Sequence, residues 1–457
     1  GGAIDWRSSR TTEIGDAGSQ LRAFASETQT SPGHSEFLGT GGSLYYLKHT
    51  DVLPGSEKVV LEIRDGTTGR VLNSVILARG ADYEIDEQQG RIILSRPLAT
   101  VTRENLPTIS RDTPLDGYTQ LLLADYEYVP SSGLSNDDVV AGFRGKHWFG
   151  NHVAVGGTYV DENRNGDDYS LKGLDVTLQK GRGTYLKIEH SESEASSAPV
   201  FFSDNGGLTF EQVNSSIGPR SGAATAFETR ANFKELGWTK LDWSSGAWWR
   251  SVDEGFSISR FDTSASIEEY GVEVLGQFAP NVNIYGRYSY AERNAESFEQ
   301  AQITGEWRIT DFSTISAELR RVDERRVSGN GSGALAAAEY KHRFGTSLDL
   351  YGIGQVTLDD DSGNYEENNA LTLGAKYLFG NLSTVGAEVV TGDRGDSAKI
   401  GVEYRVNQEH SLYGAYSYSS ELIKLDPLFN QSLSTGWTLG QRWRISNQVN
   451  VFNESQF

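Results

Sequence analysis

From about Asp138 to the end of this chain, side chains segregate by even and odd position with little interruption. In NVNIYGRYSYAE, running from Asn281 to Glu292, Val282, Ile284, Gly286, Tyr288 and Tyr290 share one parity. Asn283, Tyr285, Arg287 and Ser289 share the other. A period of two is the spacing at which a β-strand sends neighbours to opposite faces. The pattern returns at Val153–Tyr159, Leu174–Leu178, Tyr270–Phe278, Leu371–Phe379, Ile400–Val406, Leu412–Tyr418 and Leu433–Ile445. Roughly 18 such segments of about 9–14 residues follow one another, longer than the ~5–6 of an average strand and close to what crosses a bilayer at a tilt.

The connections alternate as well. Short ones at Gly150-Asn151, Gly181-Arg182, Leu236–Trp238, Ala279–Asn281, Thr310–Phe312, Phe344–Thr346, Gly380–Leu382, Asn407–Glu409 and Ser446–Gln448 are interleaved with long polar ones. The long ones fall at 163–168, 195–222, 252–264, 293–297, 324–332, 358–368, 391–397 and 420–431. In an antiparallel meander this order predicts tight turns at one rim and loops at the other, the layout of outer-membrane barrels. The charged parity carries Arg144, Lys146, Lys187, Glu189, Arg287, Glu306 and Arg308, then Lys399, Glu403, Arg405, Arg442 and Arg444. A soluble β-sandwich also has one polar face. Long uniform strands with Trp148, Trp243, Trp249, Tyr290, Tyr377, Trp437 and Trp443 near their ends fit a transmembrane barrel better. The apolar parity, with Tyr288, then meets lipid between aromatic girdles, and the charged parity, with Arg287, lines a wet lumen.

A mean hydropathy of −0.46 is compatible with this reading, because only every second residue of such a strand is apolar. No run approaches the ~20 apolar residues of a membrane helix. A net charge of −21, from 62 acidic and 41 basic residues, argues against a nucleic-acid partner, whose phosphates require clustered Lys and Arg. Cysteine is absent, which removes disulfides and thiolate chemistry. The 51 glycines, 21 Tyr, 19 Phe and 9 Trp suit an all-β chain of many hairpins.

Residues 40–130 break the pattern with shorter strands and the turn pairs Pro54-Gly55, Asp65-Gly66, Arg79-Gly80 and Gln89-Gly90. Val59, Leu61 and Ile63 are expected to pack against Val71, Val75, Leu77, Ile93 and Leu121–Leu123 in a small β-sandwich. AIDWRSSR and QLRAFASE, within residues 1–39, again look like barrel strands. The predicted organisation is therefore barrel strands and linker at 1–39, a β-sandwich at 40–130 and barrel at 131–457, with about 20 barrel strands in all.

The stretches GSEKVVLEIRD, GADYEIDEQQGRIILSRPL and LLLADYEYVP, with the lead-in GTGGSLYYL and DNGGLTF at 204–210, resemble a pattern of very large Gram-negative outer-membrane proteins. These include the SprA-type giant translocon barrel of type IX secretion, and the likeness is stronger to uncharacterised large proteobacterial members. It covers about 40–210. It implies an outer-membrane location and a wide barrel, and it carries over no active residue. With the long loops outside, the sandwich is expected on the external side and the last strand ends at the outer rim, as in an internal portion of a larger barrel. The alternative orientation places the sandwich in the periplasm.

DENRNGDDYSLK places Asp161, Asn163, Asn165 and Asp167 at the early positions of a calcium loop. Lys172 stands where the pattern needs Glu, so a polar hairpin loop is the simpler reading. LDDDSGNYEE at 358–367 is also acidic, and both loops offer carboxylates to divalent ions that bridge lipopolysaccharide. The seven histidines form no HxxxH or HxH, and no GxSxG occurs. RGD at 394–396 is most simply a chance tripeptide. The expected function is a wide conduit, as part of a protein translocon or export channel, with no reaction and no cofactor. Its partners are outer-membrane lipid and lipopolysaccharide, with envelope proteins or secreted cargo. The alternative is a structural or adhesive surface protein anchored by a plugged barrel.

Overall fold

The computed structural model describes residues 2–27, 30–66, 69–103, 106–130, 139–162, 168–195, 199–213, 220–258, 265–294, 296–326, 329–380, 382–420, 436–446 and 449–456. The alternating segments form one antiparallel sheet of 20 strands. It follows sequence order except at two insertions. Ser19–Glu27 pairs with Val139–Phe149 across the inserted module, and Thr184–Glu194 pairs with Ser221–Asn232 across residues 195–220. Among the described residues, the first strand, Gly2–Arg7, and the last, Val449–Gln456, do not pair with one another.

The register sorts the faces as the alternation predicts. Leu174, Phe278, Leu373 and Leu439 stand exposed on the outer parity, as a surface in contact with hydrocarbon requires. Trp243, Trp249, Tyr377, Trp437 and Trp443 share that parity. Trp148 does not: it lies on the inner parity and is buried beside Lys146, whose Nζ is 5.3 Å from its ring. Its place near a strand end suits a girdle, but parity decides the side.

Two of the expected long loops are hairpin tips. Arg293 pairs with Glu296 and Arg326 with Gly329. Their polar flanks continue the ladder, giving strands of 15, 14 and 16 residues at Glu296–Thr310, Ser313–Arg326 and Gly329–Phe344. Conversely, the turn expected at Leu236–Trp238 spans 233–242, closed by Lys234 Nζ on Asp242 at 3.2 Å.

The inserted module contains a seven-stranded sheet and a three-stranded one. The larger sheet uses Ser31–Leu38, Lys58–Arg64, Val71–Ile76 and Tyr118–Tyr128. It therefore begins before residue 40. It also takes in Val200–Ser203, from the connection at 195–220, which pairs parallel with Ser31–Leu38. Boundaries of 40 and 130 are thus corrected by hydrogen bonding that chain order does not reveal. The smaller sheet, Leu44–Tyr46, Tyr83–Asp86 and Arg91–Leu94, packs through Tyr45, Tyr83 and Ile92 on Phe37, Val59 and Leu122. Leu38, Val60, Leu121 and Leu123 form a core on the opposite face. Val75, expected in the core, is 46% exposed because Val71–Ile76 is an edge strand.

The module lies within the lumen. Inward side chains from strands spread around the barrel all reach it: Arg287 at Asp65, Glu318 at Ser110, Lys399 at Val101 and Glu454 at Ser43. An external or periplasmic seat is excluded by these contacts. The module is a plug.

Candidate gate between plug and wall

The plug segment Leu106–Asp116 runs along the inner wall and is held by its backbone as much as by its side chains. Glu318 accepts hydrogen bonds from Ile109 N at 2.8 Å, Ser110 N at 3.3 Å and Thr304 Oγ1 at 2.9 Å, and from the Ser110 hydroxyl. Gln355 Oε1 accepts from Arg111 N at 2.7 Å, and Gln355 Nε2 donates to Arg111 O at 3.0 Å. Asn368 Nδ2 donates to the same carbonyl at 2.7 Å. This two-way amide pairing is what an extended segment needs when no strand lies beside it.

Two ion pairs join this segment to the wall. Arg111 meets Glu388 at 2.7 Å, and Arg320 meets Asp112 at 2.6 Å. Arg320 Nε and Asp112 Oδ1 make no hydrogen bond among the described residues. The second pair therefore offsets only part of its desolvation cost. Within the segment, burial, aided by the Asp112 charge, raises the Asp116 pKa above the usual carboxylate range. Burial, then the Arg111 charge, lowers that of Arg103. Both changes follow from charges withdrawn from water.

Two further contacts brace the plug. Arg287 meets Asp65 at 2.6 Å, and the Arg70 guanidinium lies 4.0 Å from the Trp248 ring centroid. At the lead-in GTGGSLYYL, Glu454 accepts from Ser43 N at 2.7 Å and Leu44 N at 3.3 Å. A Cβ on Gly42 would lie 2.5 Å from the Glu454 carboxylate, and Gly41 has φ +80°. These glycines let the plug backbone reach the wall.

Of the residues expected to line the lumen, Arg287 and Lys399 touch the plug directly, Lys399 through Val101 O at 3.2 Å. The others share the inner parity and, among the described residues, find their partners on the wall. Arg144 pairs with Asp175, Lys146 donates to Thr177, Glu306 accepts from Asn283, and Arg405 pairs with Glu403. Lys187, Glu189, Arg308, Arg442 and Arg444 take their places by register. Glu318, Arg320, Gln355 and Glu388 escaped the sequence reading, although they obey the same parity and so were available to it. Of the calcium candidates, Asp161 is exposed on the outer parity, while Asn163, Asn165 and Asp167 lie outside the described residues. Among the described residues, no group of three or more His, Asp or Glu is placed to hold a metal. Arg394 of the RGD tripeptide reaches the plug, donating to Asp112 O at 3.2 Å.

No protein-family model matches the chain, and no curated protein matches it. Among solved structures, it is similar to the KdgM porin, at 11% identity over 41% of this chain and 94% of that one, with a TM-score of 0.25. It is similar to a chain of the E. coli P pilus tip assembly intermediate PapC-PapD-PapK-PapG at 12% identity and a TM-score of 0.42. That match covers 99% of this chain and spans about half, 52%, of the other. A mutant Rh. blastica porin matches at 14% identity over 64% of this chain and 91% of its own, with a TM-score of 0.29. All three scores fall below 0.5, so the fold rests on the register and exposure described above.

Proposed function

We propose that this chain is an outer-membrane β-barrel of a Gram-negative bacterium whose lumen is a gated conduit, closed by the internal plug and opened when Leu106–Asp116 leaves the wall. The observation that carries this reading is the Arg320–Asp112 latch, a buried ion pair on the contact that must break for the lumen to clear. A barrel of this strand number encloses space enough for a polypeptide once its plug is displaced, and export of a protein cargo is the use we favour. The apolar exterior fits bilayer lipid, and acidic loops fit cation-bridged lipopolysaccharide. No reaction is assigned.

A second reading is a permanently plugged anchor. It is favoured by the strand Val200–Ser203, which ties the plug sheet to a barrel connection. Planar-bilayer recording separates the two. The chain has no cysteine, so the double variant Ser110→Cys with Glu318→Cys joins plug to wall at a unique disulfide. We expect large-conductance openings to be absent when oxidised and to appear after reduction. Absence of such openings in both states, and in the wild type under denaturant that loosens the plug, favours the anchor.

A further inference from the structure

Plug and wall do not meet evenly around the lumen. Glu318, Arg320 and Gln355 are buried under the plug, whereas Arg22 and Arg144 keep 63% and 50% of their side-chain surface exposed. The strands Gly2–Arg7, Ser19–Glu27 and Val139–Phe149 thus face a sector that the plug leaves wet. Asp5, Arg7, Arg22, Arg144 and Lys146 share its inner parity.

The arrangement is poor for stability alone. Arg22 and Arg144 are directly opposite each other in the antiparallel register, where like charges destabilise a sheet. Asp5 lies 3.1 Å from Arg22 and 3.6 Å from Arg7, so one carboxylate serves two guanidiniums. Asp175 takes Arg144 at 3.2 Å, while Lys146 finds the Thr177 hydroxyl at 3.3 Å and the Trp148 ring, with no carboxylate partner among the described residues. Positive charge is therefore in excess here, in a chain whose net charge is −21. Half-exposed guanidiniums with donors to spare recognise carboxylate and phosphate oxygens, and charged linings select ions by sign.

We infer that this sector is an anion path, the inner wall at Arg22 and Arg144 drawing small carboxylate- or phosphate-bearing solutes past the plug. The inference rests on the conduit reading and deepens it by naming the solute class. The test uses reversal potentials of the full chain in planar bilayers under a potassium chloride gradient, for wild type, Asp112→Ala, Arg22→Gln with Arg144→Gln, and Arg22→Glu with Arg144→Glu. Heat-modifiable migration in electrophoresis verifies that each barrel is folded.

The chloride-to-potassium permeability ratio lies above one in wild type or in the latch variant. In the Glu pair it falls roughly fivefold, to below one, the factor that about 1 kcal/mol of charge interaction supplies. The Gln pair, which removes charge without reversing it, falls between. Conductance with a ratio at or below one, or a ratio unmoved by both pairs, overturns the anion path and leaves the conduit standing. Absence of conductance from wild type and latch variant alike overturns both.

Discussion

Replacing Asp112 by Ala strands the Arg320 guanidinium, whose side chain is 5% exposed, against the plug. Breaking a buried pair by removing one partner costs about 3–5 kcal/mol. The lower end applies here, because the Asp112 side chain is 25% exposed and its charge is partly screened by water. Ser110 Oγ, 3.4 Å from Arg320, keeps some compensation in place. About 3 kcal/mol removed from the docked state alone corresponds to a ~150-fold shift toward release. Single-channel recording of Asp112→Ala should then show open probability rising by about two orders of magnitude while openings remain rare. The barrel itself should keep its heat-modifiable migration, since the strand ladder is untouched. Replacing both partners, Asp112→Leu with Arg320→Met, removes the stranded charge and should restore closure. An open probability for Asp112→Ala within threefold of wild type, in a folded inserted barrel, would refute the latch.

Leu373→Arg places a charge mid-strand on the outer parity, where Leu373 is 53% exposed. It should cost about 2–4 kcal/mol of folding in bilayers, read from the urea midpoint of vesicle-inserted protein; an unchanged midpoint would deny that this face meets lipid. In the plug, burial opposes the charge of His34, but hydrogen bonds to Asp125 at 2.6 Å and Glu36 at 3.2 Å outweigh it and raise its pKa from 6.5 to about 9. The stabilisation is fully present below pH 6.5 and is lost as pH rises through about 9. Proteolytic nicking within 31–128, normalised to denatured protein, should increase between pH 7 and pH 10 in wild type and much less in His34→Gln. Equal increases in the two proteins would remove His34 from the account.

How far the sequence could be read varied with the range of the forces involved. Period-two alternation is a local property of an extended backbone, so the strand type, the number of barrel strands and the two faces were legible without a structure. Trp148 departs from the girdle because parity, and not place along the strand, sets the face a side chain takes. Hairpin tips at 293–297 and 324–332 were misjudged because polar residues above the bilayer extend strands as readily as they form loops. The gate was half legible. Glu318 and Arg320 carry the inner parity, yet nothing local distinguishes a wall charge that meets a plug from one that meets water. The position of the plug was beyond local reading altogether. Its strands announce a compact β-module wherever it sits. Its seat depends on contacts between residues up to hundreds of positions apart, such as Ser43 with Glu454 and Asp112 with Arg320. The sequence thus determined a two-faced sheet around an aqueous interior, because side-chain direction alternates with every peptide. Only the tertiary structure decided that the interior is filled on one side and wet on the other, because that depends on which surfaces meet once the sheet has curved.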